Sequence, residues 1–467
     1  MNCFVTLDIG TSAIKCAVVS EEGLILSSSS IENKYFYSQK GKVEFSVTER
    51  YRDICNLIRY VVDKKDSNAS VRAICLSGAS GNALLLDKVK KPLANAVSWL
   101  DKRAESSYQT LLSSFSPNEI YSITGWPTSK SFPLSYFAWM KNNEPEIYYS
   151  AQYHATDFVY YNYRLSGNWV IDTSTATNFY MQDQVKIKYY SRIIDFLDID
   201  EKELPEIVKS GIQIGNITAQ AAMETNLPEG VPVISGSFDH PAAARGAGMI
   251  EVGDLLISCG TSWVFFIPFA TREKIQEEKF LTDPFLSPDG GPWGGMFSFP
   301  SMGALLNEYI SILFNNSATK FSEFEREVIN SSNKNNNCDF DIFQKDVSPK
   351  DYLRMKLENN SLSQVCKSIA QCVFLLIQKK VVDFQNMNIP INRISLVGGC
   401  SNSKIWTQIF SNAFNKSIMI GQNDFAGCVG SAVLAGIGIG LFKNEIDGYK
   451  KMDIKLNTVT PNNMMTL

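Results

Sequence analysis

The sequence predicts an α/β protein of more than one domain, and three observations carry that expectation. The chain of 467 residues is long enough for two or three domains, at roughly 150 residues each. Short apolar runs of strand length recur from end to end, at residues 4–9, 71–76, 232–235, 254–258 and 393–397. Between them lie stretches with helical spacing, clearest at 48–64 and 362–382. Hydrophobic content of 45% and charged content of 20% are those of an ordinary soluble globular chain. A net charge of −4 gives no reason to expect nucleic acid or an anionic membrane as partner. No apolar run nears the roughly 18 residues that cross a bilayer, and the first strand begins at Cys3, which leaves no room for a signal peptide. The ten cysteines include no CxxC pair, and the two histidines are His154 and His240. Neither a disulfide framework nor a zinc or histidine metal site is expected, and a reducing cytoplasm is the setting these features predict.

The first 28 residues read as a β-meander. A strand at 4–9 breaks at Gly10-Thr11-Ser12, residues 13–20 return, and Glu21-Glu22-Gly23 turns into a third strand at 24–28. Asp8 closes the first strand, where a carboxylate suits Mg2+ held through water. Gly10 lets a phosphate approach the backbone closely, and Thr11 and Ser12 add hydroxyl donors. The same residues also suit a plain hairpin turn. The helix at 48–64 puts Tyr51, Ile54, Leu57, Ile58 and Val61 on one face. The strand at 71–76 opens into the small polar loop Ser77-Gly78-Ala79-Ser80-Gly81-Asn82, and a short strand follows at 84–87. Residues 94–103 run from strand into helix with Trp99 and Asp101 at the junction, where a Trp is more often core than ligand contact.

Residues 232–262, PVISGSFDHPAAARGAGMIEVGDLLISCGTS, hold the densest chemistry. A strand at 232–235 stops at a loop carrying Asp239 and His240, and the small residues 242–248 read as a tightly packed helix. A second strand, 254–258, ends in Gly260-Thr261-Ser262, a turn whose N–H groups suit a phosphate. A base for an attacking hydroxyl and donors for the transferred group are what phosphoryl transfer needs. A helix cap followed by a hairpin explains the same residues. Cys259 has no histidine or basic partner nearby in sequence and reads as packing. Residues 284–300, rich in Gly, Pro and aromatics, read as a loop with a strand ahead of a helix at 302–314. The Asn-rich stretch 330–337 reads as an exposed loop. The strand at 393–397 ends in Gly398-Gly399 with Ser401-Asn402 where another helix begins. That turn suits an adenine or ribose pressed on the backbone, or a tight turn with no ligand.

Taken in order along nearly the whole chain, these segments resemble the FGGY family of carbohydrate kinases, on the actin/hexokinase-type fold. Residues 4–20 resemble its first phosphate motif and 96–103 its W-D-R segment. Ile123-Thr124-Gly125 with SFPLSYFAWMKNNEP resembles its first signature, 158–167 its R-L-T-G segment, and Asp172-Thr173-Ser174-Thr175-Ala176 its D-x-S-x-A. Residues 236–248 are similar to GxxDxxAxxxGxG with Asp239 in the position of the catalytic base. Residues 256–262 resemble the second phosphate motif, Leu396-Val397-Gly398-Gly399-Cys400-Ser401 the adenosine motif, and 427–441 the closing small-residue helix.

The resemblance implies two ribonuclease H-like (actin-like ATPase) lobes, each a mixed sheet flanked by helices, with an interlobe cleft. It implies an N-terminal lobe, residues 1–245, with the first phosphate motif and most of the sugar site, and a C-terminal lobe, residues 246–467, with most of the nucleotide site. The implied activity is xylulokinase-like: ATP with Mg2+ phosphorylates a hydroxyl of a ketose such as a pentulose, or of a linear polyol, giving a sugar phosphate and ADP. Asp239 would deprotonate that hydroxyl and Asp8 would organise the metal. Gly10, Thr11, Ser12, Gly260 and Thr261 would hold phosphates, and Gly398, Gly399 and Asn402 the nucleoside. Ser80, Gly81, Asn82, Trp99, Asp101, Asp239 and His240 would line the carbohydrate site. The implied partner is a small carbohydrate, with neither nucleic acid nor membrane, and a homodimer is allowed.

Three departures qualify the match. Tyr136 stands where the first signature usually carries Lys. The G-E-R-x-P segment before the long helix is absent, which bears on substrate size and lobe closure. The loop 77–82 has neither the Arg-Glu pair of glycerol kinases nor the Met-His pair of xylulokinases. Glycerol is therefore not expected, and the small Ser80 and Gly81 either leave room or let other residues reach in. His240 either donates to a substrate hydroxyl or partners the base. Two other readings are an actin-like ATPase that drives partner binding and a catalytically impaired sugar-binding sensor. The sugar-facing segments speak against the first, and the intact Asp8 and Asp239 against the second.

Overall fold

The computed structural model describes residues 1–38, 41–66, 68–331, 338–421, 424–454 and 456–462. The chain folds into two compact units, Met1–Glu251 with Pro268–Met296 and Phe425–Ile454, and Val252–Ile267 with Phe297–Asp424 and Lys455–Leu467.

In the first unit the expected meander is present: β1 (Asn2–Ile9) pairs antiparallel with β2 (Ala13–Ser20), and β2 with β3 (Ile25–Glu32). Helix α1 (Val47–Lys64) starts at Ser46, whose hydroxyl accepts the Glu49 N–H at 3.2 Å, and buries Tyr51, Ile54, Leu57, Ile58 and Val61. Such a helix is long enough to return the chain so that β4 (Ser70–Gly78) lies parallel to β1. Then β6 (Pro232–Ile234) runs parallel to β4 and β5 (Gln213–Asn216) antiparallel to β6, giving the order β5-β6-β4-β1-β2-β3. Two small-residue helices cover this sheet, α2 (Asp239–Gly246) and α3 (Ala426–Gly438). Cys428, Val429, Ala432, Val433 and Leu434 of α3 pack into one buried cluster with Phe4, Ala17, Val19, Ala73, Cys75 and Ile234 of the strands. The helices touch backbone to backbone: a Cβ on Gly430 would lie 1.8 Å from the Ala242 carbonyl oxygen.

The second unit repeats the pairing scheme. β7 (Asp254–Cys259) forms an antiparallel hairpin with β8 (Trp263–Phe269) and lies parallel to β9 (Arg393–Gly398). Next, β9 is parallel to β10 (Ile418–Gly421), and β10 antiparallel to β11 (Leu456–Val459). The sequence of antiparallel, parallel, parallel and antiparallel pairings from β2 to β5 is thus built twice, as two ribonuclease H-like lobes require. The helix Leu362–Asn386 opens with a capping box between Ser361 and Gln364. Helices Lys320–Asn330 and Pro349–Asn359 were not expected from the sequence. Of the Asn-rich stretch 330–337, residues 332–337 lie outside the described residues. Among the described residues no helix is long and apolar enough to cross a membrane, and all ten cysteines are free.

Candidate active site

In the first unit β1, β4 and β6 run parallel, so their carboxyl ends open on one edge, where ligands collect in open α/β sheets. Three loops leave that edge, after Asp8, Ser77 and Ile234. A parallel bridge from Gly78 to Phe238, with Gly78 N–H to Ser237 O at 3.3 Å and Ser237 N–H to Ser77 Oγ at 3.1 Å, fastens the third loop to the second. Asp239 follows as the first residue of α2, its side chain 24% exposed and so open to a substrate.

Asp8 and Asp239 converge here. Burial and then the charge of Asp239 push the Asp8 carboxyl up to about 7, and Lys15, its register partner across the hairpin, works the other way. Oδ1 of Asp8 is buried without a hydrogen-bond partner, and Gly427 at the start of α3 leaves no room for a Cβ beside Oδ2. One orphaned carboxylate oxygen at a polar edge fits a Mg2+ ion, which takes one or two carboxylates and otherwise water and phosphate. Among the described residues no group of three or more His, Cys, Asp or Glu is arranged as a protein cage for a metal.

Asp239 is not itself the N-cap of α2, a position held by Phe238, but its Oδ1 accepts the first-turn His240 N–H at 2.8 Å. His240 Nε2 lies 3.7 Å from Oδ1 of Asp239. The loop ahead of Asp239 is fixed by a pair of residues far off in sequence. Ser174 Oγ accepts the Phe238 N–H at 3.1 Å and donates to Oδ2 of the buried Asp283 at 2.7 Å. Asp283 was missed by sequence reasoning, because a lone acid carries no signal until its partners are known.

Gly10, Thr11 and Ser12 form the β1–β2 turn. Asn33 Nδ2 donates to the Gly10 and Thr11 carbonyls at 2.6 and 3.2 Å, and the Tyr35 hydroxyl to Thr11 O at 2.9 Å. Trp99 joins this turn through Nε1 to Thr11 Oγ1 at 3.2 Å and is half-buried. Ser80 and Asn82 are buried and committed to the framework. Ser80 donates to Asn178 Oδ1, while Asn82 donates to Asp157 Oδ1 at 2.9 Å and accepts the Trp99 N–H at 3.1 Å. Gly81 leaves no empty space, because the Phe132 ring lies beside it. Asp101 is fully buried and its carboxylate accepts from Val43 N and from Arg103 N, Nε and Nη2 at 2.6–3.0 Å, so it braces the fold next to Trp99.

A second cluster belongs to the second unit. The Gly260-Thr261-Ser262 turn between β7 and β8 is held by Gly260 N–H to Ser262 O (3.2 Å) and by Ala304 N–H to Thr261 O (3.1 Å). Gly398, at φ 84°, ends β9 next to it, where a Cβ would lie 2.6 Å from the Cys259 carbonyl oxygen. Ser401 Oγ closes the following turn on Gly398 O at 2.7 Å, and Asn402 donates to Asp424 at 3.4 Å. Gly260, Thr261, Gly399 and Asn402 are exposed. Burial pushes the Cys259 thiol up, as expected of a packing cysteine. The site residues therefore fall into two sets, one in each unit.

Residues 3–246 match the FGGY family of carbohydrate kinases, N-terminal domain, and residues 255–439 its C-terminal domain. The xylulose kinase of Staphylococcus xylosus is 22% identical over 446 residues, covering 94% of this chain and 91% of that protein. The gluconokinase of Bacillus subtilis is 20% identical over 450 residues, 92% and 86% of the two chains. The crystal structure of a xylulose kinase from Rhodospirillum rubrum superposes with a TM-score of 0.84 at 18% identity, covering 98% and 94%.

Proposed function

The chain belongs to the FGGY family of carbohydrate kinases, and from that premise we propose that it moves the γ-phosphoryl group of ATP to a hydroxyl of a ketose, with Asp239 as the base. The supporting observation is the convergence of Asp8 and Asp239 on one edge of the first sheet, where the charge of Asp239 raises the cost of charging Asp8. Two carboxylates so placed suit a site that receives a cation and a proton.

Asp239 would take the proton of the acceptor hydroxyl as its oxygen bonds to the γ-phosphorus and the bond to the bridging oxygen of ADP breaks. His240, whose Nε2 lies 3.7 Å from Oδ1 of Asp239, would stand beside the base at the acceptor. Asp8 would hold Mg2+, which when bound supplies neutralisation of phosphate charge. The Gly10-Thr11-Ser12 turn would meet a phosphate in the first unit. In the second, the Gly260-Thr261 turn and the Gly398-Gly399-Ser401-Asn402 stretch, with Gly399 and Asn402 exposed, suit the phosphates and nucleoside of ATP. Residues 1–245 would serve mostly the carbohydrate and 246–467 mostly the nucleotide. Xylulose kinases and gluconokinases among the relatives support an open-chain acceptor. Ten free thiols support a reducing cytoplasm as its place of work.

ADP release across pentuloses, hexuloses and linear polyols, with ATP and Mg2+, tests this. Stimulation by at least one ketose is expected. ATP turnover that no carbohydrate changes would overturn the reading.

A further inference from the structure

The first unit builds an aromatic wall between its phosphate turn and its base. Trp99, hydrogen-bonded to Thr11, lies parallel to Phe132 (9° between planes, centroids 6.4 Å apart). Phe132 also stacks with Tyr180 at 5.3 Å and meets the face or edge of Trp126 at 5.6 Å. Trp126 touches Phe238 at 6.0 Å, and Phe238 touches His240 at 5.4 Å, beside Asp239. Polar groups stand at the two ends of this row, and rings fill the middle.

Phe132 is the centre of the wall and is held there against its backbone preference. Its φ of 75° and ψ of 162° lie in a region that is essentially glycine's. Its ring takes the space next to Gly81, where any Cβ would come within 2.5 Å of Cδ1. A polar side chain at position 81 and the phenyl ring are therefore mutually exclusive. The other side chains of that loop are already spent: Ser77 on Ser237 and Ser431, Ser80 on Asn178, Asn82 on Asp157 and Trp99. Phe132 and Trp99 remain half-buried, with surface left to contact a ligand.

Resting on the carbohydrate-kinase reading above, we propose that Phe132 sets acceptor specificity and that the acceptor turns a carbon without a hydroxyl, a deoxy or methyl carbon, onto this ring. A hydroxyl pressed there would lose its water with nothing to accept or donate in return, whereas a C–H surface gains contact. A site built to bond a hydroxyl rejects an analogue lacking it by orders of magnitude, and an apolar wall does not.

The test is kcat/KM for D- and L-xylulose and D- and L-ribulose, each beside counterparts lacking one hydroxyl in turn. At least one deoxy counterpart should equal or exceed its parent, or fall by less than about tenfold. Phe132→Leu should keep that ratio and Phe132→Asn should lower it by about tenfold. If every deoxy counterpart falls by more than about tenfold while a parent is phosphorylated, this inference fails and the kinase reading stands. An unchanged ratio in folded Phe132→Asn also overturns it. If no sugar of any kind is phosphorylated, both fail. Should Phe132→Asn not fold, the wild-type panel and Phe132→Leu still decide.

Discussion

A Cβ on Gly427 would sit 2.6 Å from Oδ2 of Asp8, so the first turn of α3 and the carboxylate share a space that only glycine leaves. Gly427→Ala should therefore displace Asp8 while the rest of α3, buried against the sheet, keeps its place. The expected outcome is a Mg2+ titration midpoint raised by about tenfold, about 1.4 kcal/mol, read from initial rates at fixed ATP. An unchanged midpoint would mean that Asp8 does not hold the metal. Among single residues, Asp8 and Asp239 stand out in the sequence because Asp8 comes at the end of a strand before a glycine turn and Asp239 on a glycine-bearing loop after another strand, a local pattern. Phe132 and Asp283 were not. The importance of Phe132 lies in its contact with Gly81, and that of Asp283 in its bond to Ser174, and neither partner is near in sequence.

At the scale of elements, the start of α2 hangs on two buried acids. Asp172 accepts the Thr175 N–H at 2.8 Å, Asp283 accepts the Phe285 N–H at 2.8 Å, and Ser174 passes the second contact on to Phe238. Burial foremost pushes both carboxyls up to about 6 from 3.8. The folded chain thus binds these protons more tightly than the unfolded chain. The stability they contribute is fully present below about pH 3.8 and is lost as the pH rises through about 6. The expected melting temperature is lower at pH 7.5 than at pH 5.5, and Asp283→Asn, neutral at both, should narrow the gap. A gap that Asp283→Asn leaves unchanged would contradict the assignment. Elements with strong local signals were readable, such as β2 and α1, whose apolar faces repeat at strand and helix periods. The helix Pro349–Asn359 escaped notice because Leu353 is its only buried residue, too little for a helical stripe to show.

For the whole molecule, two copies of one strand scheme explain why glycine turns recur at Gly10 and Gly260. In each unit the first hairpin turn follows a strand whose carboxyl end lies beside that of a parallel neighbour. The family pattern made this doubling legible, since local periodicity identifies strands but not which strands pair. It did not reveal where α3 packs. That helix lies in sequence between two strands of the second unit, β10 and β11, yet its small residues let it lie on the sheet of the first, against α2. The proposed chemistry on this architecture turns on one carboxylate. With a carbohydrate that stimulates ADP release, Asp239→Asn should lower kcat by roughly 100-fold or more, the scale of a lost general base. Dissociation constants for ATP and for the carbohydrate should stay within about threefold, since the amide keeps the shape of the side chain. Turnover near that of the wild type would contradict the role given to Asp239.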